Sequence, residues 1–146
     1  MIGMVEFIMD YKIIDKIDPN DMIYMRKLVG WSKKISLEQF ERALKHTMFM
    51  VKIYNDSDII AIGRLVGDYA AKGLLSDIIV NPKYQKQGFG KIVVKYLIDK
   101  VYEALGENEV FQIEATPTFS NKDFYVKCGM KYKPENQDGV YIWLEK

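Results

Sequence analysis

Between residues 73 and 105 the apolar pattern of the chain changes its period. Residues 73–80 read Gly-Leu-Leu-Ser-Asp-Ile-Ile-Val, a short apolar run of the kind that forms a buried strand. Asn81-Pro82 ends it, because proline has no N–H to donate and biases Asn81 away from helix. From Phe89 onward, apolar residues return every three or four positions, at Ile92, Val93, Tyr96, Leu97 and Val101. That spacing predicts a helix with a wide apolar face running to about Leu105. A strand feeding such a helix needs a sheet for the helix to cover, which narrows the architectures open to the chain.

The connection between the two elements is Gln85-Lys86-Gln87-Gly88-Phe89-Gly90-Lys91. A helix start exposes N–H groups and the positive end of the helix dipole. Glycine lets backbone come close to an anion, so the segment has the makings of a pyrophosphate cradle, to which Lys86 and Lys91 add charge. The plainer reading is that the glycines only shape a tight turn. Two nucleotide motifs do not fit. Val93 stands where a dinucleotide fingerprint needs its third small residue, and Ile92 follows Gly90-Lys91 where a Walker loop needs a hydroxyl.

The remaining elements follow from local pattern. Residues 5–15 read as a first strand, and Asp18-Pro19-Asn20-Asp21 as a helix start. Met22, Met25, Leu28 and Val29 continue that helix toward Gly30. Ser36 and Gln39 form a capping box ahead of a second helix, with its apolar stripe at Leu37, Phe40, Ala43, Leu44 and Met48. Residues 49–54 and 59–66 predict a hairpin across Asn55-Asp56-Ser57-Asp58. Residues 110–115 predict a buried strand, residues 121–127 a short helix stopped at Gly129, and residues 130–132 and 140–144 two closing strands. We expect one domain over residues 1–146, with helices on both faces of a mixed sheet.

Composition excludes several functions. The 146 residues carry a formal charge of +1 and no long basic run, which disfavours a nucleic-acid partner. One cysteine, Cys128, and one histidine, His46, leave no intrachain disulfide and no histidine-rich metal site. No apolar run reaches membrane-spanning length, and Glu6 and Asp10 interrupt any signal-like start. The expectation is a cytoplasmic protein with no metal, membrane or nucleic-acid partner.

The stretch from Asp77 to Gly90 resembles the acetyl-CoA signature of the GNAT N-acetyltransferases, a strand ending in Val-x-Pro followed by Gln/Arg-x-x-Gly-x-Gly/Ala. Residues 121–130, Asn-Lys-Asp-Phe-Tyr-Val-Lys-Cys-Gly-Met, resemble the family's second motif, with Met130 in place of the common Phe. The resemblance implies an α+β, single-domain acyl-CoA N-acyltransferase fold with a mixed central sheet. It implies an N-acetyltransferase that moves an acetyl group directly from acetyl-CoA to a primary amine of a small molecule or peptide. Two central parallel strands, 73–80 and 110–115, would splay to seat pantetheine. Backbone groups of Ile78, Ile79 and Val80 would bind that arm and polarise the thioester. Backbone N–H groups of Gln85, Lys86, Gln87, Gly88, Phe89, Gly90 and Lys91 would bind pyrophosphate. Asn121 and Phe124 complete the cofactor set, and homodimers are common in the family.

Direct transfer needs a neutral amine, a donor for developing negative charge and a proton for the departing thiolate. The resemblance makes Tyr125 the general acid, although Phe124 and Tyr125 can equally pack the short helix. Asn121 can bind cofactor or cap that helix. Asp77 is the leading candidate for holding the ammonium or relaying its proton, with Asp68 and Glu114 as further carboxylates, and local salt-bridge roles as the competing reading. Acidic residues near the mouth favour a cationic acceptor. Trp31 is a candidate contact for an apolar acceptor or ordinary packing. A catalytically inactive acyl-CoA-binding or sensory protein of the same fold is the alternative function.

Overall fold

The computed structural model describes residues 10–117, 121–134 and 138–146. The elements run β1 (Lys12–Ile14), α1 (Pro19–Leu28), α2 (Leu37–Lys45), β2 (Phe49–Tyr54), β3 (Ile59–Gly67), β4 (Lys72–Val80), a 3-10 turn (Pro82–Tyr84), α3 (Phe89–Ala104), β5 (Val110–Ala115), α4 (Lys122–Lys127), β6 (Lys131–Tyr132) and β7 (Val140–Glu145). Of the first strand expected over residues 5–15, only 12–14 pair as strand, and residues 5–9 lie outside the described residues.

Among the described residues, seven strands form one mixed sheet in the order β1-β2-β3-β4-β5-β7-β6. The hairpin β2–β3 is antiparallel, as expected, and its turn is closed by Asn55, whose side chain accepts from the N–H groups of Ser57 and Asp58. β4 and β5 are the parallel neighbours at the centre.

Helices cover both faces. The apolar stripe of α3 packs across β2, β3 and β4, burying Val93, Val94, Leu97 and Val101 against Val51, Leu65, Leu75 and Ile113. On the other face, α1 and α2 bury Met22, Met25, Phe40 and Leu44 against Ile62 and Ile79. The caps read from sequence are present. Ser36 accepts from the Gln39 N–H at 3.2 Å, and the Gln39 side chain accepts from the Ser36 N–H at 2.9 Å.

One irregularity in β4 matters for the site. Ile62 pairs with Ile79, but Arg64 pairs with Ser76, so one residue of β3 faces two of β4. Asp77, within this bulge, has a left-handed φ of 52°. The bulge breaks the strand's alternation. Leu75 faces the α3 core, yet Asp77, two residues on, faces α1. Ile78 takes the α3 side in its place.

Candidate active site

β4 and β5 pair only at Lys72 with Gln112, Gly73 with Ile113, and Leu74 with Glu114. Past Leu74 the two strands part while β4 continues to Val80 along β3. The gap opens into two hollows that share Ile78, Asn121 and Tyr125. One, of about 920 Å³, runs from Ile78 and Val80 to the start of α3. The other, of about 430 Å³, lies between β4, the end of β5, Arg26 and Trp31.

The larger hollow has the character of an anion site. Gly88 caps α3 with φ 88°, a conformation glycine adopts without strain. The N–H groups of Gly88, Phe89, Gly90 and Lys91 find no backbone carbonyl acceptor among the described residues. Gly90 allows a close approach, since a Cβ there would sit 3.1 Å from the Phe124 ring. Lys86, Lys91 and Lys127 line the same hollow, and no carboxylate does among the described residues. The helix start, the three cations and a long trough toward Ile78 fit a polyphosphate with an extended arm.

Of the residues singled out from sequence, Ile78, Val80, Gln85, Lys86, Gly88, Phe89, Gly90, Lys91, Asn121, Phe124 and Tyr125 all line this hollow. Gln87 is exposed and outside it. The side chain of Ile79 is buried against α1 and α2, so only its backbone is available. Asn121 precedes α4 without a side-chain cap bond among the described residues, so its amide is not spent on capping.

Tyr125 stands where the hollows meet. It is held by edge contact with Phe124 at 5.0 Å and by the turn that ends α4, in which the Met130 N–H donates to the Tyr125 carbonyl. Met130 is buried, filling the apolar place expected of it. Burial pushes the Tyr125 phenol up to about 12, with Cys128 adding to the shift, so the proton stays on oxygen at neutral pH. Burial also raises the half-buried Cys128 thiol, against an opposing pull from Lys91. That leaves little thiolate for covalent chemistry. His46 ends α2 at the surface.

The carboxylates are committed elsewhere. Arg26 Nη1 donates to Asp77 Oδ1 at 2.6 Å and Arg64 Nε donates to Oδ2 at 2.7 Å. The Ser76 hydroxyl adds a longer bond to Oδ2. Arg64 reaches on to Thr47 Oγ1 at 3.2 Å, and Thr47 donates to the Ala43 carbonyl of α2. Both oxygens of Asp77 thus face guanidinium groups, which is the local salt-bridge role weighed as the competing reading from sequence. Asp68 accepts from the N–H groups of Ala70, Ala71 and Lys72, which hold its carboxyl down at about 2. Burial works to raise Glu114, but Lys133 and Lys72 outweigh it and lower the carboxyl. The acidic mouth expected from sequence is corrected. Among the described residues, Arg26, Lys27, Lys33 and Lys34 line the approach from α1 and α2.

Sequence reasoning missed Arg26 and Arg64. Each reaches Asp77 across 51 and 13 residues of chain, respectively, and only the packing of α1 and β3 brings them together. Among the described residues there is no cluster of three or more His, Cys, Asp or Glu side chains able to hold a metal ion.

A parting parallel strand pair, a bulge and a glycine-capped helix describe a class of acyl-CoA-binding folds, and comparison with known proteins agrees. The model of the acetyltransferase (GNAT) family matches residues 2–130, and the chain belongs to that family. GCN5-related N-acetyltransferase 2, chloroplastic, of Arabidopsis thaliana is 27% identical over 99% of this chain and 61% of its own length. The chain spans less than two thirds of the length of that relative and of an uncharacterized N-acetyltransferase of Porphyra purpurea, 26% identical over 77% of this chain. A Staphylococcus aureus protein of unknown function, described as a probable acetyltransferase, superposes with a TM-score of 0.77 at 24% identity, covering 91% of this chain and 98% of its own. A Bacillus subtilis acetyltransferase solved in complex with CoA gives 0.65 at 17% identity, over 94% and 99%. These likenesses establish the fold as the single-domain GNAT type.

Proposed function

We propose that residues 1–146 act as one N-acetyltransferase domain, transferring an acetyl group from acetyl-CoA to a primary amine of a small molecule or peptide. The observation that carries this reading is Tyr125, a phenol kept protonated by burial at the junction of a cationic trough and a second hollow. Acetyl-CoA supplies an acyl group activated as a thioester. The chain's residues do the rest. The start of α3 with Lys86 and Lys91 binds phosphate, and the backbone of Ile78, Ile79 and Val80 along the parted strand aligns an extended amide-bearing arm. Tyr125 holds its proton at Oη and delivers it to a departing sulfur.

Asp77 serves as a positioning residue. Bound by Arg26 and Arg64, it fixes the bulge that turns Ile78 toward the trough, and so sets the backbone groups beside Tyr125. No other carboxylate lines the hollow at Tyr125 among the described residues, so water carries off the amine's proton and returns one to the Tyr125 phenolate, restoring the acid. We place the protein in the cytoplasm, where a lone thiol such as Cys128 persists reduced, and as a homodimer. No helix among the described residues is long and apolar enough to cross a membrane.

The test is an acetyl-CoA turnover screen over arylalkylamines, polyamines, amino acids and peptides, reading free CoA. Release of CoA with one amine class, lost in Tyr125→Phe, supports the reading. CoA binding without turnover of any amine would establish the inactive binding protein instead.

A further inference from the structure

Arg26 and Trp31 belong to two hollows at once. They wall the cavity beside Tyr125, and they also form one side of a cavity of about 690 Å³ between α1 and α2, within the usual size of a small-molecule site. The floor of this outer cavity is apolar, from Ile23, Ile35 and Phe40. Its charged lining is Arg26, Lys27, Lys33 and Lys34, with no carboxylate among the described residues. The whole chain carries only +1, so this is a local segregation of charge and not a reflection of bulk composition.

Asp77 does not cancel it, because two guanidinium groups share that one carboxylate. Asp21, the acid of the first turn of α1, is paired with Lys52 at 2.7 Å. Arg26 is also held in place. Its guanidinium lies 4.8 Å from the Trp31 ring centroid and 5.7 Å from that of Phe40. A fixed, mostly buried cation at the inner end and three lysines further out describe a site built for negative charge.

We infer that the acceptor is a primary amine that carries an anionic group, a carboxylate or a phosphate, with the amine beside Tyr125 and the anion in the outer cavity. This rests on the proposed N-acetyltransferase reading and gives it a substrate class. A simple cationic polyamine is the acceptor least suited to this lining, since it would bring like charge to four cations.

The test compares matched pairs that differ in the anion: phosphoethanolamine with ethanolamine, and the peptide Ala-Glu-Glu amide with Ala-Gln-Gln amide. CoA release is measured at about 20 mM and about 300 mM salt, in wild type, in the double variant Lys33→Glu/Lys34→Glu and in Lys33→Arg/Lys34→Arg. The expected result is a kcat/KM at least about tenfold higher for an anionic member at low salt. That ratio should shrink at high salt, collapse in the glutamate variant and persist in the arginine variant. The pair that responds distinguishes phosphate from carboxylate. Equal rates within both pairs, or a preference unchanged by Lys33→Glu/Lys34→Glu, would overturn the inference. Should no amine release CoA, the N-acetyltransferase reading fails alone, and calorimetric titration of the CoA-saturated protein decides the subsite. Binding of an anionic member to wild type but not to the glutamate variant supports it, and absence of such binding overturns it.

Discussion

Replacing Asp77 separates a structural brace from a catalytic base. The Asp77 side chain is 5% exposed, and those of Arg26 and Arg64 are 16% and 14% exposed. Removing one partner from a buried ion pair typically costs about 3–5 kcal/mol, because the remaining charge stays desolvated. Asp77→Asn keeps an acceptor oxygen and tolerates the left-handed φ, so about 3 kcal/mol is expected. Asp77→Ala loses both acceptors and also places a Cβ residue at φ 52° without a polar side chain, which adds about 1 kcal/mol. Asp77→Gly loses the charge but relaxes that conformation, so it falls between the two. At roughly 2–4 °C per kcal/mol for a domain near this size, Asp77→Asn should melt about 10 °C below wild type. Thermal and urea unfolding supply the stabilities, and CoA release well below each melting point supplies the pH–rate profile. A brace predicts reduced activity with the shape of that profile unchanged. Melting of Asp77→Asn within about 2 °C of wild type, together with loss of one limb of the profile, would refute the brace and restore Asp77 as the base.

Tyr125→Phe should lower kcat by about 10²-fold or more while leaving the affinity for CoA within a few-fold, checked by turnover and by calorimetry. The same residue sets an alkaline limit on stability. Its phenol is raised in the folded chain, so the contribution is complete below pH 10 and is lost as the pH climbs toward about 12. Wild type should lose about 2–3 kcal/mol over that window relative to Tyr125→Phe, measured by urea unfolding at each pH. Gly88→Ala meets no atom within 4 Å, so its cost is the strain of φ 88°, about 1 kcal/mol, with weaker CoA binding. Gly88→Glu should weaken CoA binding further, since it adds negative charge at the cradle, and normal CoA affinity in a folded Gly88→Glu protein would remove phosphate from that loop. Asp68 is lowered by three backbone N–H bonds, so its hold on the turn is present above pH 4 and fades as pH falls toward about 2. Hydrogen exchange at Ala70, Ala71 and Lys72 should speed up in that range, and in Asp68→Ala at any pH.

What could be read from the amino-acid order was what is local. The spacing from Phe89 to Val101, the proline after Asn81 and the Ser36–Gln39 box each act within a few residues, and each is found where expected. The trough at the start of α3 was legible for the same reason, since a strand, a glycine turn and a helix are consecutive in the chain. The two guanidinium groups that engage Asp77 were not legible, and neither was the bulge of β4 that carries it. Nothing within β4 announces that bulge, and its stabilising partners come from α1 and β3. The charge of the acceptor side was likewise invisible. Counting acids along the chain could not show that Asp68 holds a turn or that Glu114 pairs with two lysines, while the spacing of Lys27, Lys33 and Lys34 around one cavity depends on how α1 meets α2.

The parting of β4 from β5 leaves an unzipped seam in the middle of the sheet, where, among the described residues, the edge of β4 turned away from β3 has no strand paired to it from Leu75 onward. Under the proposed reading the extended arm of the cosubstrate lies along that seam as a surrogate strand, so the cosubstrate is also part of what holds the fold together. At a concentration about 100 times its dissociation constant it would add about 2.7 kcal/mol, a large fraction of what a domain of this size usually has in hand. Starved of it, the chain exposes a template that any extended peptide can augment, its own neighbours included. Resistance to heat, to proteases and to self-association should therefore rise and fall with the metabolite supply, making the lifetime of the protein itself a readout of acyl-CoA.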